Sequence, residues 1–123
     1  MTRINVGVEP SELCDQHLIA EYRELPRMWN FIPKSKPPKE FCLGTGHMLW
    51  CSQYTGLLAD RYESIVNEMY NRGFVVNFPT VPEGKSSGKR PTEDEINRAR
   101  QIVLQRLQEK YKTMKSRPRW TNR

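Results

Sequence analysis

The chain opens Met1-Thr2-Arg3. Thr2 is small enough for an aminopeptidase to remove the initiator Met1, leaving the Thr2 nitrogen as a primary α-amine. Such an amine titrates at about 7.7–8.0, against about 10.4 for lysine, so at cellular pH a useful fraction is an unprotonated nucleophile. The charge of Arg3 lowers that value further, because like charges disfavour the protonated form. An amine of this kind suits attack at a sugar C1′, giving a Schiff base that permits β-elimination. Met-Thr is also a common start without chemical meaning, so the amine counts only where other residues converge on it.

A second group lies between residues 16 and 27. Arg23 and Arg27 are four residues apart, so on one helix both guanidinium groups can straddle adjacent phosphates. Glu24 sits between them, and His17 comes two turns earlier on nearly the same line, with Gln16 beside it in sequence. A carboxylate held beside several cations keeps its charge, and can stabilise a cationic sugar or move a proton. The plainer account is a solvated helix face carrying ordinary, weak ion pairs. Arg106 and Lys110, again four apart, either contact a further stretch of backbone or only keep their edge soluble. Trp120, in an arginine-rich tail, either stacks on a base or covers the end of the core.

Metal and cofactor chemistry finds no foothold in the same reading. Cys14 and His17 share a helix, and Cys42, His47 and Cys51 lie close together, but no CxxC pair occurs. Three cysteines leave at least one unpaired, and free thiols are the expectation. There is no glycine-rich phosphate loop and no carboxylate cluster for Mg²⁺, so no cofactor or metal is expected and any DNA cleavage would be metal-free.

The whole chain bounds the partner. Its 123 residues fit one domain, residues 1–123, while a hydrophobic fraction of 37% with nine prolines and seven glycines implies long loops. Lys and Arg number 20 against 14 Asp and Glu, a net +6 that favours a polyanionic partner through counterion release. No run of about 18 apolar residues is present and MTRINVGVEP has no apolar signal-like stretch. A monomer in the cytoplasm is expected, in the host cell and associated with DNA if the chain is phage-encoded, with no membrane partner.

These residues need elements to hold them. The pattern predicts an all-α single compact domain of three main helices with long loops. The first spans Ser11 to about Phe31, kinked at Pro26. With Glu24 at zero on a wheel of about 100° per residue, Cys14, Leu18, Tyr22, Leu25 and Trp29 fall between about +80° and +160°, a core stripe. Gln16, His17, Ala20, Arg23, Glu24 and Arg27 fall between about −100° and +20°. Residues 32–46 read as a loop, and a second helix from about His47 to Arg72 stops at Gly73. A second loop covers 74–91. Thr92 and Glu95 form a capping box for the third helix, whose stripe is Ile96, Ala99, Val103, Leu107 and Met114.

MTRIN followed by DQHLIAEYRELPR closely resembles the start of the phage-type pyrimidine-dimer DNA glycosylases, the endonuclease V family of DNA repair. LGTGH at 43–47 and NRGF at 71–74 also match, and ARQIVLQRLQEK with RPRW does so more loosely, together covering roughly two thirds of the chain. The resemblance implies glycosylase and abasic-site lyase activity on cyclobutane pyrimidine dimers in duplex DNA, with kinking of the duplex and extrusion of a base opposite the dimer. By position, Thr2 would supply the nucleophilic amine and Glu24 the essential carboxylate. Arg3, Gln16, His17, Arg23 and Arg27 would contact DNA around the lesion, and Arg106 and Lys110 backbone phosphates. This chain has one extra residue before the first helix, two shortened loops and a tail cut to Trp120-Thr121-Asn122-Arg123. A non-cleaving binder of distorted DNA, or an enzyme for another lesion or for modified phage DNA, are the alternatives.

Overall fold

The computed structural model describes residues 2–121. It contains four α-helices, α1 (Asp15–Glu24), α2 (His47–Ser52), α3 (Thr55–Asn71) and α4 (Glu93–Thr113), and no strand among the described residues. The all-α class holds, but two of the three expected helices are divided. The stretch expected as one helix from Ser11 to Phe31 is a 3-10 turn at Pro10–Glu12, then α1, then a 3-10 segment at Leu25–Asn30. Leu13 and Cys14 are extended between the first two pieces, and both side chains are fully buried. Pro26 has no N–H to continue the α-helical ladder, and the chain tightens there instead of kinking and resuming.

The expected helix over 47–72 breaks at Gln53 and Tyr54. Side chains compete for the last carbonyls of α2: Ser52 Oγ donates to Leu49 O (2.8 Å) and Gln53 Nε2 to Trp50 O (3.0 Å). The α3 stop is as expected, with Gly73 at φ 80° just past the end. The cap of α4 is also as expected. Glu95 N–H donates to Thr92 Oγ1 (3.2 Å) and Thr92 N–H to Glu95 Oε1 (2.9 Å).

The core is one cluster contributed by every helix. It includes Leu18 and Leu25, Trp50 and Cys51, Leu58, Tyr62, Ile65 and Met69, and Ala99, Val103 and Leu107. Of the expected first stripe, Cys14, Leu18 and Leu25 are buried, while Tyr22 and Trp29 are half-buried against it. A further contributor is the N-terminal segment. Thr2, Ile4, Val6 and Val8 are buried and alternate with the half-exposed Arg3, Asn5 and Gly7. Each of the three buried aliphatic side chains contributes about 1.5–3 kcal/mol.

This segment has no sheet neighbour, so its buried backbone is bonded partly within itself, Val6 N–H to Ile4 O (2.9 Å) and Val8 N–H to Asn5 O (3.1 Å), and partly by side chains. Ile4 N–H donates to His47 Nε2 (2.9 Å), Gly7 O accepts from Arg100 Nη1 (3.0 Å), and Val8 O from Arg61 Nη1 (2.6 Å). Gly7, at φ 82°, lies so close to α4 that a Cβ there would sit 2.6 Å from Ile96 O. The tail closes the other side. Arg119 O accepts from Asp15 N–H at the start of α1, Thr121 N–H and Oγ1 donate to the Asp15 carboxylate (3.0 and 2.6 Å), and Trp120 Nε1 donates to Glu12 O (3.1 Å). Trp120 therefore covers the end of the core, edge-on to Tyr111. Arg72, buried at the end of α3, donates to Asp15 Oδ1 (2.9 Å), Leu13 O (2.7 Å) and Glu68 Oε2 (2.8 Å).

Both histidines are held neutral. Burial pushes the His47 pKa below its usual value, with Arg3 adding to the shift. Burial, then Lys110, does the same at His17. A histidine with a depressed folded pKa costs no stability above the unfolded pKa of about 6.5; as pH falls below that, the unfolded chain takes up the proton first. Urea denaturation should therefore show stability level from pH 8 to 7 and falling below about pH 6.5, by up to about 1.4 kcal/mol per pH unit for each histidine. His47→Gln should remove one histidine's share of that slope.

Candidate active-site cleft

A cleft of about 170 Å³ lies between the N-terminal segment, α1 and α4. Arg3 and Asn5 reach it from the exposed positions of the alternating segment. His17, Ala20, Glu21 and Glu24 come from one face of α1, and Arg106 and Leu107 from α4. The spacing 17, 20, 21, 24 is that of a single helical face, and the wheel had already grouped His17, Ala20 and Glu24. Of the residues expected to act, Arg3, His17, Glu24 and Arg106 thus converge.

The others stand differently. Thr2 is buried, at 2% exposure, one residue before Arg3. Arg23 and Arg27 are exposed on α1 and the 3-10 segment after it, and do not line the cleft. Lys110 is exposed, and near enough to His17 to depress its pKa. Gln16 is engaged by the tail: its Nε2 donates to Arg117 O (2.8 Å) and its Oε1 accepts from Arg119 N–H (3.2 Å).

Two carboxylates line the cleft, and their surroundings separate them. Glu21 is 2% exposed and paired with the buried Arg61, whose Nε and Nη2 both donate to it; Asn5 Nδ2 donates to Glu21 Oε1 (2.6 Å). Its charge is spent on structure. The Glu24 carboxylate has no ion pair or side-chain hydrogen bond among the described residues. The same is true of the guanidinium groups of Arg3 and Arg106. The cleft therefore offers one uncommitted carboxylate together with two uncommitted cations, a set suited to a substrate carrying phosphates and a developing positive charge.

His17 completes the wall. Its ring stacks on Tyr111 of α4 (5.4 Å between centroids, 24° between planes), and its buried Nδ1 has no hydrogen-bond partner among the described residues. A neutral imidazole presents one donor and one acceptor nitrogen, so His17 adds polarity to the cleft without adding charge.

Asn5, Glu21 and Arg61 were not among the residues singled out from sequence. The alternation of Thr2, Ile4, Val6 and Val8 carried a period-two signal that places Asn5 opposite the core. Nothing local announces the Glu21–Arg61 pair, whose members are 40 residues apart. Among the described residues no group of three or more His, Cys, Asp or Glu is arranged to hold a metal ion, and Cys14, Cys42 and Cys51 are free. Among the described residues no helix is long and apolar enough to cross a membrane.

The buried pair yields a direct test. Glu21→Gln strands the Arg61 charge in the interior and should cost about 3–5 kcal/mol. Adding Arg61→Met should recover part of that loss, a coupling measurable as a double-mutant cycle by urea denaturation. Additive losses would show that the two side chains do not act as a pair.

A cleft with paired structural acid, unpaired second acid and flanking arginines sits wholly on residues 3–107. The family model described as pyrimidine dimer DNA glycosylase matches residues 1–80, which contain the N-terminal segment, α1, α2 and α3. The match spans well over half of the 123 residues and includes six of the eight residues lining the cleft. The chain belongs to the pyrimidine dimer DNA glycosylase family.

Proposed function

We propose that the protein is a bifunctional glycosylase and abasic-site lyase acting on cyclobutane pyrimidine dimers in duplex DNA. The observation that carries this reading is the convergence of Arg3, Glu24 and Arg106 on one cleft beside the start of the chain. After removal of Met1, the Thr2 amine attacks C1′ of the 5′ nucleotide of the dimer and the bond from C1′ to the base breaks. Opening of the sugar ring then gives a protonated Schiff base. Loss of a C2′ proton lets the electrons flow into that cation and expels the 3′-phosphate; water later releases the enzyme amine. Glu24 is suited to stabilise the cationic sugar and to shuttle the protons, because its carboxylate lines the cleft without an ion pair or side-chain hydrogen bond among the described residues.

The iminium is the electron sink in this scheme, so the elimination needs no Lewis acid. Arg3 and Arg106 bind the phosphates flanking the lesion, while Arg23, Arg27 and Lys110 extend the contact along the backbone. His17 and Gln16 lie at the lesion-facing edge of α1, where Gln16 acts with its tail partners Arg117 and Arg119. The working unit is a monomer on double-stranded DNA, and the dimer is preferred because its weakened stacking lowers the cost of kinking the duplex and extruding the opposing base.

Borohydride trapping on an abasic duplex tests the nucleophile. A covalent adduct mapping to the N-terminal peptide is expected, and acetylating the terminus or retaining Met1 should abolish it. Lys110 is the rival amine, being close to His17. An adduct that persists at full rate with a blocked terminus and disappears in Lys110→Ala would move the chemistry to α4.

Glu24→Gln should reduce strand cleavage at dimers by at least about 1,000-fold, the upper part of the range for electrostatic and acid–base groups. Affinity for damaged duplex should stay similar or tighten, since a negative charge near phosphates is gone. Gel-shift titration beside a cleavage time course separates the two, and lost binding in a folded variant would make Glu24 a DNA-positioning residue instead.

A further inference from the structure

We propose that His47 is the positioning residue for the N-terminal amine, holding the first residues of the chain at the cleft through its bond to Ile4. The inference rests on the amine reading above and assigns a role to a side chain outside the cleft.

His47 is fully buried and does not line the cleft, so it does not touch substrate. Its imidazole is fixed from two sides. Nδ1 lies 3.0 Å from Cys42 O and donates to it, which leaves Nε2 as the acceptor for Ile4 N–H at 2.9 Å. The edge of Phe41 packs against the ring at 5.3 Å and 83°. The turn that delivers His47 is equally defined. Gly46, at φ 94°, brings the chain round in the left-handed region so that His47 is the first residue of α2.

Ile4 is where this bond matters most. Among the described residues no backbone hydrogen bond lies N-terminal to it. Two residues span at most about 7 Å, so the Thr2 nitrogen can swing only within that radius of the anchored amide. The first residues of a chain fray unless they are tied down. A nucleophile displaced by about 1 Å can lose on the order of 100-fold in rate. The hydrogen bonds of Arg61 and Arg100 to the segment fall at Val8 and Gly7, too far along to substitute.

The test separates the two nitrogens of the ring. In His47→Gln the amide can reach the place of Nε2 and accept from Ile4 N–H. In His47→Asn the shorter amide can keep the Cys42 O contact but falls short of Ile4. Borohydride trapping is measured under single-turnover conditions on a preformed abasic duplex, beside the Kd for a duplex carrying a tetrahydrofuran abasic analogue. His47→Gln is expected within about threefold of the native rate, and His47→Asn about 10- to 100-fold slower, with both Kd values within about twofold. Equal rates in the two variants, whether both native or both slow, would overturn the proposal. If His47→Asn does not melt as a folded protein, His47→Gln decides alone: a near-native rate supports the role, and a folded variant slowed by more than about tenfold overturns it. Native protein that fails to trap, or traps equally with an acetylated terminus, would instead overturn the amine reading itself.

Discussion

An extended segment buried among helices imposes the constraint on which the rest of the molecule depends. Residues 2–8 supply core side chains at alternate positions, yet no strand lies beside them to bond their backbone. A buried amide or carbonyl without a partner costs about 1–3 kcal/mol; the Val6 and Val8 amides donate within the segment to Ile4 O and Asn5 O, and other groups are met by side chains that reach inward. His47 from α2, Arg61 from α3 and Arg100 from α4 do this in turn. Three helices are thereby tied to one short segment. The cleft exists because the other face of that segment, carrying Arg3 and Asn5, is left against α1.

The same arginines explain the charge pattern. Arg61, Arg72 and Arg100 are each paired to carboxylates that would otherwise crowd the interior or its edge, namely Glu21, Asp15 with Glu68, and Glu12. Five acidic groups, with Asp60 on Arg90, are committed to structure in this way. What remains around the cleft is cationic apart from Glu24. The four arginines and five carboxylates of these pairs nearly cancel one another, so the excess of +6 resides on side chains outside them, Arg3 and Arg106 included.

How far the sequence could be read follows from the range of each interaction. The Thr92–Glu95 cap and the Leu18–Leu25 face are local regularities, and both were legible. So was the α1 face carrying His17 and Glu24, since three- and four-residue spacing determines it. The breaks at Leu13–Cys14 and at Tyr54 were not, because side-chain competition for carbonyls and the burial of Leu13 depend on what packs nearby. His47 drew notice as a helix start, in the LGTGH stretch and as a weighed metal ligand, not as a backbone acceptor; its partner amide is 43 residues away. The tail is the same case, with Gln16 and Asp15 bonding residues more than a hundred positions later.

That separation has a consequence in time. Asp15 and Gln16 are made about a hundred residues before Arg117 to Thr121, and at about 5–20 residues per second several seconds at least pass before their contacts can form. Arg100, which holds Gly7, is also made late. Until then Gly7 lacks the hydrogen bond from Arg100, and the first turn of α1 lacks its tail partners. Once the tail emerges, its bonds to Asp15 and Gln16 complete the support of α1. The helix that carries His17 and Glu24 into the cleft is therefore braced at its first turn only when the last part of the chain has been made.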